Sequence, residues 1–435
     1  MALAPDVSSS TDPMPVTDDS PPVDAPGLQY FVMGLFFIFG GITSLNDVII
    51  PKLKELFTLS YTEAMLVQFC FFAAYAIIGI PGAKLVKKIG YMRGAVAGLC
   101  TMMLGCLLFI PASQTATYGI FLFALFILAS GVVIVQVVAN PLISLLGPPK
   151  TAHSRLTFAQ AFNSFGTWIF PLVGAGLILG SLANVSADEL SGAELASYRQ
   201  AESEVIWTTY MGLAIAIGIV AAVVWIFRNR LKGEKHEETS IADGLVLLKR
   251  PRFGYGAACI FLYVGAEVAI GSVIINYLST ERVLGQPEEQ IATMIGFYWG
   301  GAMIGRFIGS YFLRIFSPGK ILAFNAIGAI TLIIISANTG GEVAAYSLLA
   351  VGLMNSIMFP TIFSLACEKL GPRAADGSGI INVAICGGAI VPLLYGVVAD
   401  ATGGNLAIAM IIPVICYAII AGFGVFARRP AQDAP

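Results

Sequence analysis

The chain has 435 residues, of which 57% are hydrophobic and 11% charged, and a formal net charge of -2 at pH 7. Soluble domains carry about 25% charged residues, so a mean hydropathy of +0.83 excludes the soluble class and puts the chain in a membrane. Seven cysteines without metal-ligand spacing and only two histidines, His153 and His236, argue against a metal site or His-based catalysis.

Residues 1–26 are rich in Pro, Ser and Asp and hold no Lys or Arg. Such a composition buries no core, so a disordered cytoplasmic tail is expected. It lacks the basic start of a signal peptide. Twelve apolar segments follow, each near the roughly 20 residues that span a bilayer. They cover about 28–50, 62–86, 93–111, 118–145, 157–182, 206–227, 254–279, 290–314, 320–338, 343–368, 377–401 and 404–427. The predicted fold is therefore all-α, with twelve transmembrane helices in two six-helix bundles related by a pseudo-two-fold. The expected divisions are 27–227 for the first bundle, 228–253 for a cytoplasmic linker, 254–428 for the second bundle and 429–435 for a cytoplasmic tail.

Charge orients the chain. The connectors after segments 2, 4, 6, 8 and 10 hold most of the Lys and Arg, among them Lys87, Arg93, Lys150, Arg155, Arg252, Arg314 and Arg373. The opposite connectors hold only Lys52, Lys54, Arg199 and Arg282. By the positive-inside rule the basic face is cytoplasmic and both termini are inside. Weak repeats support the six-plus-six division. Gly82, Lys87 and Arg93 recur in spacing as Gly309, Arg314 and Lys320. PLISLLGP from Pro141 resembles the stretch from Pro360 to Pro372, and FPLVGAG around Pro171 resembles VPLLYGV around Pro392. Parallel repeats place a transporter's site between its halves.

Gln136 and Asn140 lie one helical turn apart at the end of segment 4, and Gln160 and Asn163 three residues apart in segment 5. Each pair falls on one helix face. Single amides act as glue between membrane helices. Four on neighbouring helices favour a polar path for a hydrogen-bonding solute. Asn46, Asn276, Asn355 and Asn382 join them as candidate substrate-binding residues. Phe162, Phe165, Trp168, Tyr277, Tyr298, Trp299 and Phe359 could stack on sugar rings, although packing explains each ring as well.

Only two acids sit deep within the apolar spans, Asp47 in segment 1 and Glu267 in segment 7, corresponding segments of the two halves. A charged carboxylate at the bilayer centre costs about 2.5–3.5 kcal/mol, so such groups face a cavity, pair, or take up a proton. Both are candidate proton-coupling residues. One proton moved inward at 100 mV contributes about 2.3 kcal/mol, roughly fifty-fold in accumulation. Sodium on the same carboxylates stays open. Arg306, Lys87 and Arg93 are assigned structural or gating roles.

LNDVIIP (Leu45 to Pro51), ANPLISLLGP (Ala139 to Pro148), RLTFAQAFNSFG (Arg155 to Gly166), FLYVGAEVAIGS (Phe261 to Ser272) and FPTIFSL (Phe359 to Leu365) carry a family resemblance. The chain resembles major facilitator superfamily transporters, and within them the fucose–galactose–glucose proton symporters, over nearly its whole length after residue 28. The resemblance implies two packed bundles, alternating access and a central sugar site. It implies that Asp47 matches the segment-1 coupling acid, and that Gln160 and Asn163 match amides that contact sugar. Gln136 stands where fucose-transporting members have a second acid, and Glu267 where they have Gln. Ser44 stands where they have Asn. The Gln136 and Glu267 pattern resembles the glucose/galactose and N-acetylglucosamine members, and Ser44 leaves the sugar preference open.

The reading is a proton-coupled hexose importer of a bacterial cytoplasmic (inner) membrane, working as a monomer on sugar and protons within the lipid bilayer. N-acetylglucosamine or fucose uptake, sodium coupling and proton-driven efflux of small amphiphiles are the alternatives. The amide strip argues against efflux, and the lack of any soluble domain against a receptor. No nucleophile–base set argues for an enzyme, and no cofactor or nucleic-acid partner is expected.

Overall fold

A computed structural model describes residues 26–57, 61–178, 191–229, 245–286, 291 and 294–429. Sixteen helices account for most of them: α1 (Pro26–Leu56), α2 (Tyr61–Ile89), α3 (Tyr91–Leu107), α4 (Phe109–Thr115), α5 (Tyr118–Leu145), α6 (Ala152–Ile178) and α7 (Gly192–Ile226), then α8 (Pro251–Ser279), α9 (Ile295–Ile315), α10 (Pro318–Asn338), α11 (Gly341–Asn355), α12 (Met358–Ala366), α13 (Ala374–Ala384), α14 (Gly387–Ala401), α15 (Leu406–Ala409) and α16 (Ile411–Phe426). Four pairs, α3–α4, α11–α12, α13–α14 and α15–α16, are single rods broken near their middle or start. Twelve rods therefore run through the described residues. The expected tail lies outside the described residues except for Pro26, as does most of the expected linker.

Ten of the rods are long and apolar enough to cross a membrane. Over their described side chains, α6 and α9 are more polar than the rest. Over its described side chains α6 carries His153, Arg155, Gln160 and Asn163, and α9 carries Arg306, Ser310 and Arg314. These two helices pack along each other. Their polarity follows from that position, because they meet across an interface inside the protein and not lipid alone.

Helix starts are encoded locally. Pro251 and Pro318 occupy first helical positions, where proline's fixed φ and missing N–H suit the helix. Asn405 caps α15 by accepting from the N–H groups of Ala407 and Ile408 at 3.1 Å each. The α11–α12 break is also written in sequence. Pro360 has no N–H for the carbonyl four residues before it, that of Ser356.

Helices α1 to α7 pack on one another, as do α8 to α16, and the two groups meet along α2–α13 and α6–α9, with α12 against α6 and α13 against α5. Close approach demands glycine at the α1–α6 crossing. A Cβ on Gly166 would lie 2.1 Å from the Phe37 carbonyl oxygen.

Candidate functional site

The first bundle contributes amides from α5 and α6. Gln136 donates from Nε2 to the Tyr75 hydroxyl at 2.9 Å. One turn along, Asn140 accepts at Oδ1 from Gln160 Nε2 at 3.4 Å, joining the two helices. All three amides are buried. Asn163 is half-buried and turns toward α1, donating from Nδ2 to the Phe36 carbonyl at 3.3 Å. Ser164 and Trp168 continue outward along the Gln160 face at four-residue intervals. Trp168 is half exposed.

The second bundle contributes an acid set among tyrosines. Glu267 on α8 is half-buried. It accepts at Oε1 from the Tyr263 hydroxyl, one turn earlier, at 2.7 Å. The same hydroxyl lies 3.1 Å from the Asn355 carbonyl. The Asn355 side chain donates to the Tyr298 hydroxyl at 2.9 Å and accepts from the Tyr417 hydroxyl at 2.8 Å. Four helices, α8, α9, α11 and α16, thus converge on one hydrogen-bonded cluster beside Glu267. One turn outward, the ring of Trp299 lies 3.1 Å from where a Cβ on Gly271 would sit. That half-exposed ring sits above the acid.

Arg306 joins the two sides. Its Nε donates to the Ser356 carbonyl at 3.0 Å, the acceptor that Pro360 leaves open. Its Nη1 reaches the Gln160 carbonyl at 3.4 Å and hydrogen-bonds the Ser164 hydroxyl on the other bundle. Its charge also bears on Glu267.

Further cross-bundle contacts close the basic face. Lys87 Nζ pairs with Asp376 Oδ2 at 2.8 Å, both buried. His153 Nδ1 lies 2.6 Å from the Ser364 hydroxyl. Ser154 donates to the Ser310 carbonyl at 2.7 Å and accepts from Arg314 Nε at 3.0 Å. The ring of Phe158 meets that of Phe307 edge-on, 5.9 Å between centroids. At 1.5 Å per residue, Arg306 lies roughly 14 Å inside the end of α9, so the closure reaches about mid-membrane. Among the described residues these contacts occupy the basic half of the interface.

The expected site residues are thus partly gathered. Gln136, Asn140 and Gln160 form one group; Glu267 and Asn355 form a second; Arg306 touches both. Asn382 is buried on α13 and bonded to the Ser378 carbonyl at 2.8 Å. Asn276 is exposed nine residues beyond Glu267, roughly 14 Å along α8. Arg93 is exposed at the basic face. The side chains of Asn46 and Asp47 lie outside the described residues. Of the aromatic candidates, Tyr277 is a packing residue bonded to the Ser336 carbonyl at 2.8 Å. Sequence reasoning missed Tyr75, Tyr263, Ser164 and Tyr417. The four-residue spacings from Tyr263 to Glu267 and from Gln160 to Ser164 could have found two of them. Tyr75 and Tyr417 lie on distant helices and carry no local signal. Among the described residues no group of three His, Cys, Asp or Glu could hold a metal ion.

The Major Facilitator Superfamily profile matches residues 32–392. The chain belongs to this superfamily of multi-pass membrane transporters. Within the superfamily it is 48% identical to a "Glucose/galactose transporter" of Brucella abortus over 398 residues, covering 91% of this chain and 92% of that protein. It is 36% identical to the "L-fucose-proton symporter" of Escherichia coli, covering 92% of both. The superfamily fold is matched by the crystal structure of the transporter FucP in the outward conformation, with a TM-score of 0.85 at 34% identity. That match covers 93% of this chain and 99% of FucP.

Proposed function

We propose that this chain is a proton-coupled symporter that carries hexoses of the glucose and galactose type into a bacterial cell across the inner membrane. Glu267 carries the reading. It is a half-buried carboxylate at membrane depth, hydrogen-bonded to a tyrosine and facing a bundle whose amides can read sugar hydroxyls. The named relatives support the solute class, and the symporter among them supports the ion. Gln136 cannot titrate, so on this reading coupling rests on Asp47 and Glu267. Gln136, Asn140 and Gln160 bind the sugar hydroxyls, with Trp168 and Trp299 as stacking surfaces.

The basic face is cytoplasmic on this reading, with both termini inside. The structure is then closed to the cytoplasm, the state in which sugar and proton load from outside. Movement of solute occurs without chemical conversion, by a monomer that needs no cofactor.

Reconstituted vesicles test the proposal. Labelled glucose or galactose is expected to accumulate under an imposed inward proton gradient, to leave on addition of a protonophore, and to ignore sodium removal. Glu267→Gln is expected to lower the accumulation ratio at least tenfold. Uptake that follows a sodium gradient would overturn the ion assignment, and preferential competition by N-acetylglucosamine or fucose the sugar assignment.

A further inference from the structure

Tyr263 carries one hydroxyl proton and faces two acceptors, Glu267 Oε1 at 2.7 Å and the Asn355 carbonyl at 3.1 Å. One proton fills only one of them well. An ionised carboxylate is the stronger acceptor. When Glu267 takes up a proton it becomes a donor, and its O–H turns to the Tyr263 oxygen. The Tyr263 hydrogen is then free to turn to Asn355. No proton leaves Tyr263 in this exchange, so the only proton gained or lost is the one on Glu267.

Asn355 is the last residue of α11, at the break before α12. Its neighbour Ser356 holds Arg306 Nε through the carbonyl that Pro360 cannot engage. The same guanidinium grips Ser164 and the Gln160 carbonyl on the opposite bundle. The hydrogen-bonded path thus runs from the acid to the break, and from the break to the interface.

We propose that Tyr263 is a positioning residue that passes the protonation state of Glu267 to the Arg306 bridge between the bundles. With Glu267 ionised, Tyr263 holds the acid and leaves the break to Arg306. With Glu267 protonated, Tyr263 draws the Asn355 carbonyl toward α8, and Arg306 loses its alignment with Ser164. The bridge then releases only when the proton is aboard. The charged and titratable groups facing Glu267 among the described residues are Arg306 and Tyr298 from α9, Tyr417 from α16, and Tyr263 itself.

The inference rests on the proton-coupled transport reading, and the test separates the two. Sugar counterflow and sugar-driven proton uptake are measured in vesicles across pH 5 to 9. Tyr263→Phe is expected to flatten the pH profile of counterflow and to cut protons moved per sugar at least tenfold. Arg306→Lys, which keeps the charge but shortens the reach to Ser164, tests the path from its far end and is expected to show the same uncoupling. A wild-type pH profile and stoichiometry in either variant, with only the rate scaled, would overturn the relay and leave the transport reading intact. A wild-type protein that moves sugar with no protons would overturn both.

Discussion

Asn355 is the residue on which the acid cluster turns. An amide offers both a donor and an acceptor, and here each is used, toward Tyr298 and Tyr417. Aspartate could not donate, and leucine would take away the acceptor of the Tyr417 hydroxyl and leave Tyr298 only its 3.4 Å bond to the Glu267 carbonyl. An unpaired buried polar group costs about 1–3 kcal/mol in general, but hydrogen bonds in membranes average nearer 0.6 kcal/mol. Asn355→Leu is therefore expected to destabilise the fold by about 1–4 kcal/mol, read as a lowered midpoint of thermal unfolding in detergent. An unchanged midpoint would mean that the two bonds add nothing. Part of the site was legible at this scale. Glu267 and the amides stand out because polarity is costly in lipid, and their spacing places them on defined faces. Tyr263, Tyr298 and Tyr417 do not stand out, because tyrosine is ordinary in apolar helices and reveals its hydroxyl only through its partners.

At the scale of elements, the α2–α13 and α6–α9 contacts hold the basic face shut. A Cβ on Gly79 would lie 2.7 Å from the Gly379 carbonyl oxygen, so glycines set how closely α2 and α13 approach. Lys87 and Asp376 then meet as a buried pair. Removing one partner of such a pair costs about 3–5 kcal/mol, because the other charge is left stranded. Here the weakened pair has an escape, since opening the face returns both groups to water. Asp376→Asn is thus expected to shift the population toward an open basic face more than to unfold the chain. Alkylation of Cys367, at the end of α12, is expected to rise several-fold when followed by peptide mass. The exchange Lys87→Asp with Asp376→Lys is expected to restore protection; unchanged labelling in Asp376→Asn would show that the pair does not hold the closure. The closed arrangement is not without cost. Thr157, Thr361 and Asn382 each bury an oxygen with no partner among the described residues. Such groups offset part of the ion pair's contribution, as a carrier that must also open requires.

For the whole molecule, closure is linked to pH through His153. This residue sits at the connector end of α6, outside the apolar span 157–182, against Ser364 of the other bundle. Burial, with Arg252 and then Arg155 adding repulsion, pushes its imidazole from an ordinary 6.5 down to about 4. The closed molecule therefore holds His153 neutral. Opening hydrates it and restores its proton affinity, so the open form binds more protons. As pH on the basic side falls from 6.5 toward 4, the open form is favoured. The distance between spin labels placed on the two bundles at the basic face, a readout that needs no thiolate chemistry during the titration, is expected to lengthen over that window in the wild type and to lose its acid limb in His153→Asn. A limb that survives the substitution would assign the effect to another group. Two bundles joined, among the described residues, mainly by contacts on the basic half of their interface also give the rigid bodies and the variable contact that alternating access needs.

The chain by itself determined that it crosses a membrane, how many rods it forms and which face is basic. Each of these follows from hydropathy and charge, which act within a few residues of where they are written. It also marked Glu267 and the α5 and α6 amides, because polar groups in apolar runs are conspicuous one at a time. Only the tertiary structure decided which of them meet. Asn140 reaches Gln160, while Asn276 lies nine residues beyond Glu267 on α8. Arg306 bridges α9 and α6, and His153 contributes to closure beside a serine 211 positions away. Contacts between distant rods depend on how whole helices rotate and cross, and that geometry is summed over every packed residue along them and written at none.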